Sequence, residues 1–461
     1  MADQDHLSEE PDLSEEPDPS DGPEVEGPEV AGPESEGPEA EPRVEVRLER
    51  PVAGGVVLGR DSDGRVVLAT GGIGGERVVV ELEGSTKKVL RGPVVEVIES
   101  SPSRVDPPCG FVAAGCGGCD LQHVALERQP DLRREVVLDA LSHVGGFDRD
   151  EVAQIPIVSS TDPVPVGDRT TVRMGVDPAG ALGFRRARSN GLLRVGPCLT
   201  AHPLLQQVID QGRFEGAKEV VLRASEHSGD VLAVVSDPRR GAARAQSRAQ
   251  SRVQWSAPGG VRVVTTGDLR SGERVWITEQ VAGRQLRVSA ESFFQSGPRA
   301  AEALAATVAR ALPDRDLSRD RLVDLYGGVG LFTVMLGAAN AELVERSKSS
   351  AADARENTAH LETRVTRTSV ESWTPSRADV VVADPSRTGL RRQGVDAVAA
   401  TGADRVVLVS CDAAAMARDL SLLGEVGYRL RGIELVDLFP HTHHVEAVSS
   451  LELVGSAARI V

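Results

Sequence analysis

The stretch Val406–Asp419 reads VVLVSCDAAAMARD, and its pattern predicts how the carboxy-terminal part of the chain folds. The apolar run Val406–Val409 indicates a buried strand, and Ala413–Leu420 has the composition of a helix. Ser410 and Cys411 then lie at the turn after the strand, where open α/β sheets bind ligands. Residue type alone favours a small core cysteine instead, so the surrounding sequence has to decide between the two.

Residues 291–461 alternate between strand and helix patterns, which predicts a Rossmann-like sheet. The first unit, Arg321–Phe332 (RLVDLYGGVGLF), combines an apolar strand, a glycine turn and a helix start. Its glycines allow a ligand to approach the backbone closely. The next predicted strand ends at Leu343–Glu345, and a carboxylate at this position commonly binds the two hydroxyls of an adenosine ribose. The turn and the glutamate together indicate an adenosine site.

Two carboxylates are predicted to accompany the thiol. Asp379–Ala383 is another buried strand, and it leads directly into Asp384. A final pair of strands within residues 429–453 completes a seven-strand pattern. Because these strand ends meet at one edge of the sheet, Asp384, Cys411 and Glu446 are expected to lie near one another.

The other four cysteines form a separate pattern. The loop at 107–123, PPCGFVAAGCGGCDLQH, spaces Cys109, Cys116 and Cys119 as C-x6-C-x2-C, and Cys198 follows later. A C-x2-C step lets two thiolates reach one metal or cluster, and the glycines let the backbone wrap around the sulfur atoms. Four cysteines suit either tetrahedral zinc or a [4Fe–4S] cluster, and the spacing does not choose between them. Unligated structural thiols are the third alternative.

The formal charge of −17 comes from the amino-terminal tail. Residues 1–42 hold sixteen acidic residues and no Lys or Arg, whereas the remainder holds 52 basic and 53 acidic residues. The repeated Ser-Glu-Glu-Pro-Asp and Gly-Pro-Glu units of this acidic tail predict disorder. The nearly neutral body is compatible with an anionic partner. The chain shows no apolar run of eighteen residues and no signal peptide, so we expect a cytoplasmic location, no membrane and no obligate protein partner.

Two further domains are predicted between the tail and the Rossmann-like part. Residues 43–102 contain four short apolar runs separated by glycine turns, the pattern of a small OB-like β-barrel, and they resemble a TRAM domain that binds RNA. Residues 103–290 are mixed, and arginines cluster in Asp168–Val176 and Leu182–Ser189. Guanidinium groups suit phosphate oxygens, so this domain is predicted to bind RNA, with a solvated sheet edge as the alternative.

Four motifs together resemble the RNA 5-methyluridine methyltransferase family. They occur in the order LVDLYGGVGLF, VVVADPSRTGL, VVLVSCDAAAMARDL and DLFPHTHHVEAV, and the similarity covers roughly residues 44–461. The branch with a TRAM domain and a cysteine-bound [4Fe–4S] cluster fits best. The resemblance implies a multidomain α/β protein: an N-terminal β-barrel, a central domain with an Fe–S loop, and a class I S-adenosylmethionine-dependent methyltransferase domain. Its implied reaction is methylation of C5 of a uridine in rRNA or tRNA, with rRNA favoured.

The resemblance also implies a role for each candidate site residue. Cys411 matches the nucleophile of the family, and Glu446 matches the general base. The matched S-adenosylmethionine contacts are Gln295 (in SFFQSGP), Tyr326, Glu345 and Asp384. The cluster ligands of the family match Cys109, Cys116, Cys119 and Cys198. The resemblance therefore favours an iron–sulfur cluster over zinc.

The implied chemistry explains these residue types. C5 of uracil is a poor nucleophile, and addition of a thiolate at C6 makes it able to attack a methyl group. A base must then remove the C5 proton before the thiol can leave. The target base has to be unstacked to expose C6, so loops or flipped nucleotides are the expected substrates.

Several positions depart from the family motifs. Ser386 replaces the second proline of DPPR, Asp412 and Ala413 replace Asn-Pro after the nucleophile, and His443 replaces a frequent glycine. Asp412 is expected either to raise the pKa of Cys411 or to shift the backbone. Two other functions stay open: another S-adenosylmethionine-dependent methyltransferase, or a non-catalytic Fe–S RNA-binding protein of the same fold.

Overall fold

Five strands in residues 43–99 close into a β-barrel. The structure is a computed structural model that describes residues 42–83, 89–159, 164, 166–236 and 253–454. The barrel strands are β1 (Arg43–Val52), β2 (Val56–Arg60), β3 (Val66–Thr70), β4 (Arg77–Glu81) and β5 (Val89–Glu99). They follow the order β1-β2-β3-β5-β4 around the barrel, and alternate side chains fill its interior. The predicted barrel is confirmed, with β1 as a strand that the sequence pattern did not mark. The predicted acidic tail lies outside the described residues except for Pro42.

A helical segment connects the barrel to the rest of the chain. Its helices are α1 (Gly110–Ala113), α2 (Gln129–His143) and α3 (Arg149–Gln154), with a 3-10 turn at Leu126–Arg128. Ile73 of the barrel packs against Val124 and Leu132 in this segment. Arg104 donates to the buried carboxylate of Glu76 over 2.6 Å, which adds a charged contact to the apolar one. The barrel is therefore docked against the segment that contains the cysteine loop.

The central part of the chain forms a six-stranded sheet and two two-stranded sheets. A short strand, β6 (Ile157–Ser159), precedes this part in the chain. The elements of the central part are β7 (Thr171–Val176), β8 (Leu182–Arg185), β9 (Leu192–Arg194), α4 (Pro203–Gln211), β10 (Arg213–Glu215), β11 (Glu219–Ala224), β12 (Val231–Val235), β13 (Gln254–Ser256), β14 (Val261–Thr265), α5 (Thr266–Arg270), β15 (Trp276–Val281) and β16 (Arg284–Ser289). The large sheet has the order β14-β12-β11-β7-β8-β9, and α4 packs on it. The two-stranded sheets are β10-β13 and β15-β16.

The carboxy-terminal part is a doubly wound, Rossmann-like sheet. Its elements are α6 (Pro298–Arg310), β17 (Arg321–Leu325), α7 (Leu331–Leu336), β18 (Asn340–Val344), α8 (Lys348–Asn357), β19 (Glu362–Thr366), a 3-10 turn (Val370–Ser372), β20 (Val380–Ala383), α9 (Arg391–Thr401), β21 (Arg405–Ser410), α10 (Ala413–Glu425), β22 (Tyr428–Leu435) and β23 (Ala447–Leu453). The strand order is β19-β18-β17-β20-β21-β23-β22-β6, and β23 is antiparallel to β21 and β22.

The sheet has eight strands where the sequence pattern predicts seven. The additional strand is β6, which pairs in parallel with β22 through Ile157 and Ile433. Its three residues are too short to give a strand signal, and they come from the segment assigned by sequence to the central domain. A segment assigned to the central domain thus completes the carboxy-terminal sheet, and Pro42–Val461 forms one compact unit.

The sheet is buried on both faces. Val381 and Val406 belong to a core that includes α2, α9 and α10, whereas Val380 and Val407 belong to a core that includes α6 and α7. Continuous apolar strands are what a sheet covered by helices requires, and each fully buried valine contributes roughly 1.5–3 kcal/mol. Within the described ranges, no helix is long and apolar enough to cross a membrane.

Candidate active site

Strand register brings Cys411 and Glu446 together. In the antiparallel pair β21–β23, Ser410 lies opposite Ala447, so the next residues outward are Cys411 and Glu446. On the other side of β21, the parallel strand β20 ends at Ala383, and Asp384 follows it. The thiol and both carboxyl groups thus lie at the edge of the sheet that the sequence predicts.

The electrostatics at this edge disfavour negative charge. Burial, followed by the charges of Glu446 and Asp384, raises the pKa of Cys411 to about 12, while the positive charge of Arg387 acts in the opposite direction. Glu446 is 4% exposed, and burial together with Asp384 raises its pKa well above the usual range. The resting site therefore favours a thiol and a protonated Glu446. Formation of the thiolate requires nearby positive charge or a group that accepts the proton.

One more acid, Asp324, extends this cluster toward the glycine turn. Burial and the charge of Asp324 raise the pKa of Asp384 to about 7. Asp324 is itself fully buried in β17, and burial raises its pKa to about 7 although its Oδ2 accepts hydrogen bonds from the Thr333 N–H (3.2 Å) and hydroxyl (2.7 Å). Buried acids without a full set of partners lose their charge easily, and a bound cation would reverse that tendency.

The predicted cofactor residues lie at the ends of the adjacent strands. Tyr326 follows β17, and Glu345 follows β18, where its Oε2 accepts a hydrogen bond from the Gly328 N–H over 3.0 Å. Gly330 adopts φ = 90°, and a Cβ there would lie 3.2 Å from Thr358. The turn therefore packs closely on α8 at Gly330, whereas a Cβ at Gly328 would meet nothing within 4 Å, so the space beside Gly328, here called the cradle, is open.

Two further groups that the sequence assigns to the cofactor are buried. The buried hydroxyl of Tyr326 has no hydrogen-bond partner among the described residues. Gln295 is 8% exposed in the turn before α6, where the next residue, Ser296, accepts a hydrogen bond from the Thr170 N–H over 2.8 Å. These residues fit an adenosine cofactor: a carboxylate for ribose hydroxyls, a buried amide and a free hydroxyl.

The loop after β20 is fixed by the helix that follows Cys411. The fully buried carboxylate of Asp419 in α10 accepts hydrogen bonds from the backbone N–H groups of Leu390 (2.6 Å) and Arg391 (3.1 Å). Arg418 donates to the Thr388 carbonyl over 2.8 Å in the same loop. The motif VVLVSCDAAAMARD thus supplies both Cys411 and the residues that hold the Asp384 loop beside it, and the sequence pattern alone did not mark Asp419.

Asp412 caps a helix. Its Oδ1 accepts a hydrogen bond from the Ala415 N–H over 2.7 Å, which makes it the N-cap of α10. The groups that shift the pKa of Cys411 most are burial, Glu446, Asp384 and Arg387. The substitution of Asp for Asn at this family position therefore keeps a capping side chain, because both residues accept this bond.

The segment Asp437–Glu446, here called the histidine loop, carries Glu446 to the site. Arg133 of α2 is 4% exposed, lies 3.0 Å from the Asp437 carboxylate and donates to the carbonyls of Phe439 (2.9 Å), Thr442 (3.0 Å) and His444 (3.1 Å). A buried guanidinium with this many partners fixes the path of the loop. Sequence reasoning missed Arg133, because its partners lie more than 300 residues away.

His444 joins the histidine loop to the Asp384 loop. Arg387 Nη2 donates to His444 Nε2 over 3.3 Å, and the His444 ring packs edge-on against Phe439. Burial, and then the charges of His443 and Arg387, lower the pKa of His444 to about 4. A neutral His444 can accept this bond, and it holds the guanidinium that favours the Cys411 thiolate.

The four remaining cysteines line one open cavity: Cys109, Cys116, Cys119 and Cys198. The pKa of Cys119 is raised to about 11: burial is the largest cause and the neighbouring thiols add to it, whereas a hydrogen bond from Gln122 and the charge of Arg169, which lines the same cavity, act in the opposite direction. Soft thiolates suit iron or zinc, so the donor set fits a metal centre. Within the described ranges, no group of three or more His, Cys, Asp or Glu is arranged to hold a single metal ion.

The arginines of the central sheet are largely used within the protein. Arg173 pairs with Glu219, Arg186 donates to the Ala114 carbonyl over 2.8 Å, and Arg188 donates to Thr70 of the barrel over 2.7 Å. Arg186 and Arg188 therefore tie the sheet to the cysteine loop and to the barrel. The clustered charges that suggested a phosphate-binding face also have this structural role.

Comparison with known proteins gives consistent relatives. The model of the tRNA (Uracil-5-)-methyltransferase family matches residues 362–453. An uncharacterized RNA methyltransferase from Streptomyces avermitilis is 34% identical over 426 residues, covering 87% of this chain and 96% of the relative. A second, from Streptomyces coelicolor, is 35% identical over 428 residues, with coverages of 87% and 91%.

One solved structure has the same fold over most of the chain. It is the tRNA (uracil-54, C5)-methyltransferase of Pyrococcus abyssi, crystallised with S-adenosyl-L-homocysteine. Its TM-score is 0.63 at 20% identity, and the match covers 88% of this chain and all of that one. At this identity the match establishes the fold.

Proposed function

Because the chain belongs to the RNA uracil-5-methyltransferase family, we propose that it methylates C5 of a uridine in RNA through a covalent adduct between Cys411 and C6. The observation that supports this proposal is the register of β21 and β23, in which Ser410 pairs with Ala447, so that Cys411 after Ser410 and Glu446 before Ala447 are the next residues outward. Ribosomal RNA is favoured over tRNA because the sequence resembles the cluster-bearing branch of the family.

The residues at the sheet edge divide the reaction between them. Cys411 Sγ adds to C6, and the electron pair of the C5–C6 bond moves toward C5 and the O4 carbonyl. S-adenosylmethionine supplies the electrophilic methyl group when it is bound. Glu446 then accepts the proton from C5, the C5–C6 double bond re-forms, and Cys411 leaves as a thiolate. The positive charge of Arg387 stabilises the Cys411 thiolate, both before it adds to C6 and after it leaves.

The cofactor is assigned to the cradle beside β17 and β18. Glu345 would bind the ribose hydroxyls, and Gln295 and Tyr326 would contribute polar contacts from the two neighbouring turns. Asp384 lies between this cradle and Cys411, so it can face either the cofactor or the uracil. A positively charged sulfonium near Asp384 and Asp324 would favour their ionised forms, since burial without a cation disfavours them.

We assign the cysteine-lined cavity to a [4Fe–4S] cluster, with zinc as the less favoured occupant. The support is the convergence of Cys109, Cys116, Cys119 and Cys198 on one cavity, together with the cysteine-rich resemblance. The barrel and the central sheet would bind RNA around this cavity. A cytoplasmic location stays a prediction.

The test is to replace Cys411 by Ala and Glu446 by Gln in separate proteins. Methyl transfer from labelled S-adenosylmethionine to unmodified ribosomal RNA and tRNA transcripts is then measured. C411A is expected to lose about 10³-fold or more in rate, because no other group can form the C6 bond. E446Q is expected to accumulate a protein–RNA adduct that survives denaturation, because the C5 proton stays in place.

Asp412→Asn is the matched control, since it changes the residue next to the nucleophile and keeps the helix cap. It should retain transfer and form no stable adduct. Full activity of C411A would exclude the covalent mechanism. A wild-type protein that binds RNA but transfers no methyl group to either RNA would favour the non-catalytic alternative. Mapping 5-methyluridine in rRNA and tRNA from a deletion strain would then identify the target.

A further inference from the structure

Asp120, the residue after Cys119, is bonded to the histidine loop from both its backbone and its side chain. The N–H groups of Asp120 and Leu121 donate to the His441 carbonyl over 3.1 and 3.0 Å. In return, the His443 N–H donates to Asp120 Oδ1 over 2.9 Å, and the His443 ring contacts Oδ2 through Nδ1. The two loops are 323 residues apart in sequence at this contact. Four hydrogen bonds thus join the cysteine loop to the loop that carries Glu446.

The contact continues toward the nucleophile through two adjacent rings, whose planes are tilted by 47°. The His443 and His444 rings lie 4.4 Å apart between centroids. His444 holds Arg387 over 3.3 Å, and Arg387 supplies positive charge to Cys411. A continuous set of contacts therefore runs from Asp120 through His443 and His444 to Arg387.

The barrel also contacts the Asp120–His443 pair, through the turn that contains Gly55. Gly55, in the turn between β1 and β2, adopts φ = 73°. A Cβ at Gly55 would lie 2.8 Å from His443 Nδ1 and 3.0 Å from Asp120 Oδ2. The barrel backbone therefore approaches the Asp120–His443 pair as closely as a glycine permits, and it restricts the ring to its present orientation.

We propose that Asp120 is a positioning residue for methyl transfer: it fixes His443, and through His444 it keeps Arg387 and Glu446 in place beside Cys411. This inference rests on the proposed function. Arg133 holds the carbonyls of the histidine loop and so fixes its path, whereas Asp120 holds the His443 ring and N–H. Because Asp120 adjoins Cys119, the same contact connects the order of the cysteine loop to the catalytic edge.

The position of Asp120 makes the role testable. Its side chain is 40% exposed, so its replacement removes polar contacts and leaves the apolar core intact. Asp120→Ala is expected to lower kcat about ten-fold with KM for RNA changed by less than about two-fold, because misplaced catalytic groups slow the chemistry more than the binding. Asp120→Asn keeps an acceptor for the His443 N–H and should restore most of kcat.

Amide hydrogen exchange supplies a readout that does not depend on activity. In D120A, exchange should rise in peptides from 437–446 and stay unchanged in α2 and β21. Asp316→Ala is the matched control: Asp316 also accepts hydrogen bonds from a backbone N–H and a hydroxyl, but in the turn that precedes β17, at the opposite edge of the sheet. D316A should leave kcat and the exchange of 437–446 unchanged.

A second variant tests position without removing a polar group. Gly55→Ala leaves Asp120 and His443 intact but places a methyl group against both, so it should reproduce the exchange increase and the kcat loss of D120A. Unchanged kcat in D120A, or exchange that rises throughout the chain, would overturn the positioning role. If the wild-type protein transfers no methyl group, the proposed function fails, whereas the exchange data still decide whether Asp120 fixes the loop.

Discussion

Cys411 at the sheet edge and Cys119 in the cysteine-lined cavity both have a raised pKa, but the groups around the two thiols differ. Burial is the largest cause at both Cys411, with a pKa of about 12, and Cys119, with a pKa of about 11. At Cys411 the next causes are two carboxyl groups, opposed by Arg387. At Cys119 they are a hydrogen bond from Gln122, the charge of Arg169 and the other thiols of the cavity.

The difference shows how the same residue type serves two purposes. A thiolate surrounded by other thiols becomes stable when a metal centre shares its charge, so the cysteine-lined cavity suits a permanent occupant. A thiolate surrounded by carboxyl groups stays unfavourable until substrate arrives, which suits a nucleophile that must also leave. The neighbours, rather than the thiol, therefore separate a ligand from a catalyst.

Replacing one cysteine of each kind should have the largest effect, because one variant should lose the metal and the other should lose methyl transfer. Cys198→Ser is expected to lose iron and acid-labile sulfide and to lower the unfolding midpoint by about 10 °C, since bound metal contributes to folding. Cys411→Ser should keep both the metal and the midpoint while losing methyl transfer. Anaerobic purification, metal analysis and thermal unfolding would measure these outcomes.

Three results of the metal analysis would contradict the assignment of the cysteine-lined cavity or its separation from Cys411. Iron retained in C198S would remove Cys198 from the ligand set. Stoichiometric zinc in the wild-type protein would replace the cluster with a single-ion site. Loss of iron from C411S would mean that the two sites are not separate, and the contrast drawn above would fail.

The carboxyl groups around Cys411 predict a second, intermediate effect. The pKa of Asp384 is raised to about 7 in the folded protein, so the folded state holds its proton more tightly than the unfolded state. Its contribution to stability is therefore present below about pH 4 and is lost as the pH rises to about 7. Asp384→Asn should remove this loss and raise the free energy of unfolding at pH 8 by a few kcal/mol, with little change at pH 4.

Urea unfolding at several pH values would measure this difference. The C198S variant should keep the wild-type slope in the same pH range, since Asp384 lies at the other site. Equal slopes in wild type and D384N would show that Asp384 is not responsible. Glu446 predicts in addition that kcat/KM rises with pH over a range well above the usual titration of a carboxyl group, because Glu446 must lose its proton to act as a base and burial raises its pKa.

The smallest effect is expected next to the nucleophile. Asp412→Ala removes the N-cap of α10 and should destabilise the protein by about 1 kcal/mol. The methyl-transfer rate should change by less than about three-fold, because Asp412 is not among the main causes of the Cys411 pKa. Asp412→Asn should restore stability. A large rate change in D412A with normal stability would instead support the electrostatic role that the sequence suggested.

Much of the fold could be predicted because its signals are local. Apolar runs of four or five residues followed by turns marked β17, β20 and β21 and their order along the chain. The meeting of Asp384 and Cys411 followed from that order, because parallel strands end at the same edge. The opposition of Cys411 and Glu446 needed the antiparallel register of β23, which the sequence left open.

The sequence by itself determined the main strands, turns and helices of the Rossmann-like part, and which chemical groups stand at the strand ends. Only the tertiary structure decided how those ends are held: β6 at the sheet edge, Arg133 inside the histidine loop, and Asp120 on His443. The physical reason is distance along the chain. Hydrophobic periodicity and capping act over a few residues, whereas these contacts join residues more than 250 positions apart and depend on the packing of the whole chain.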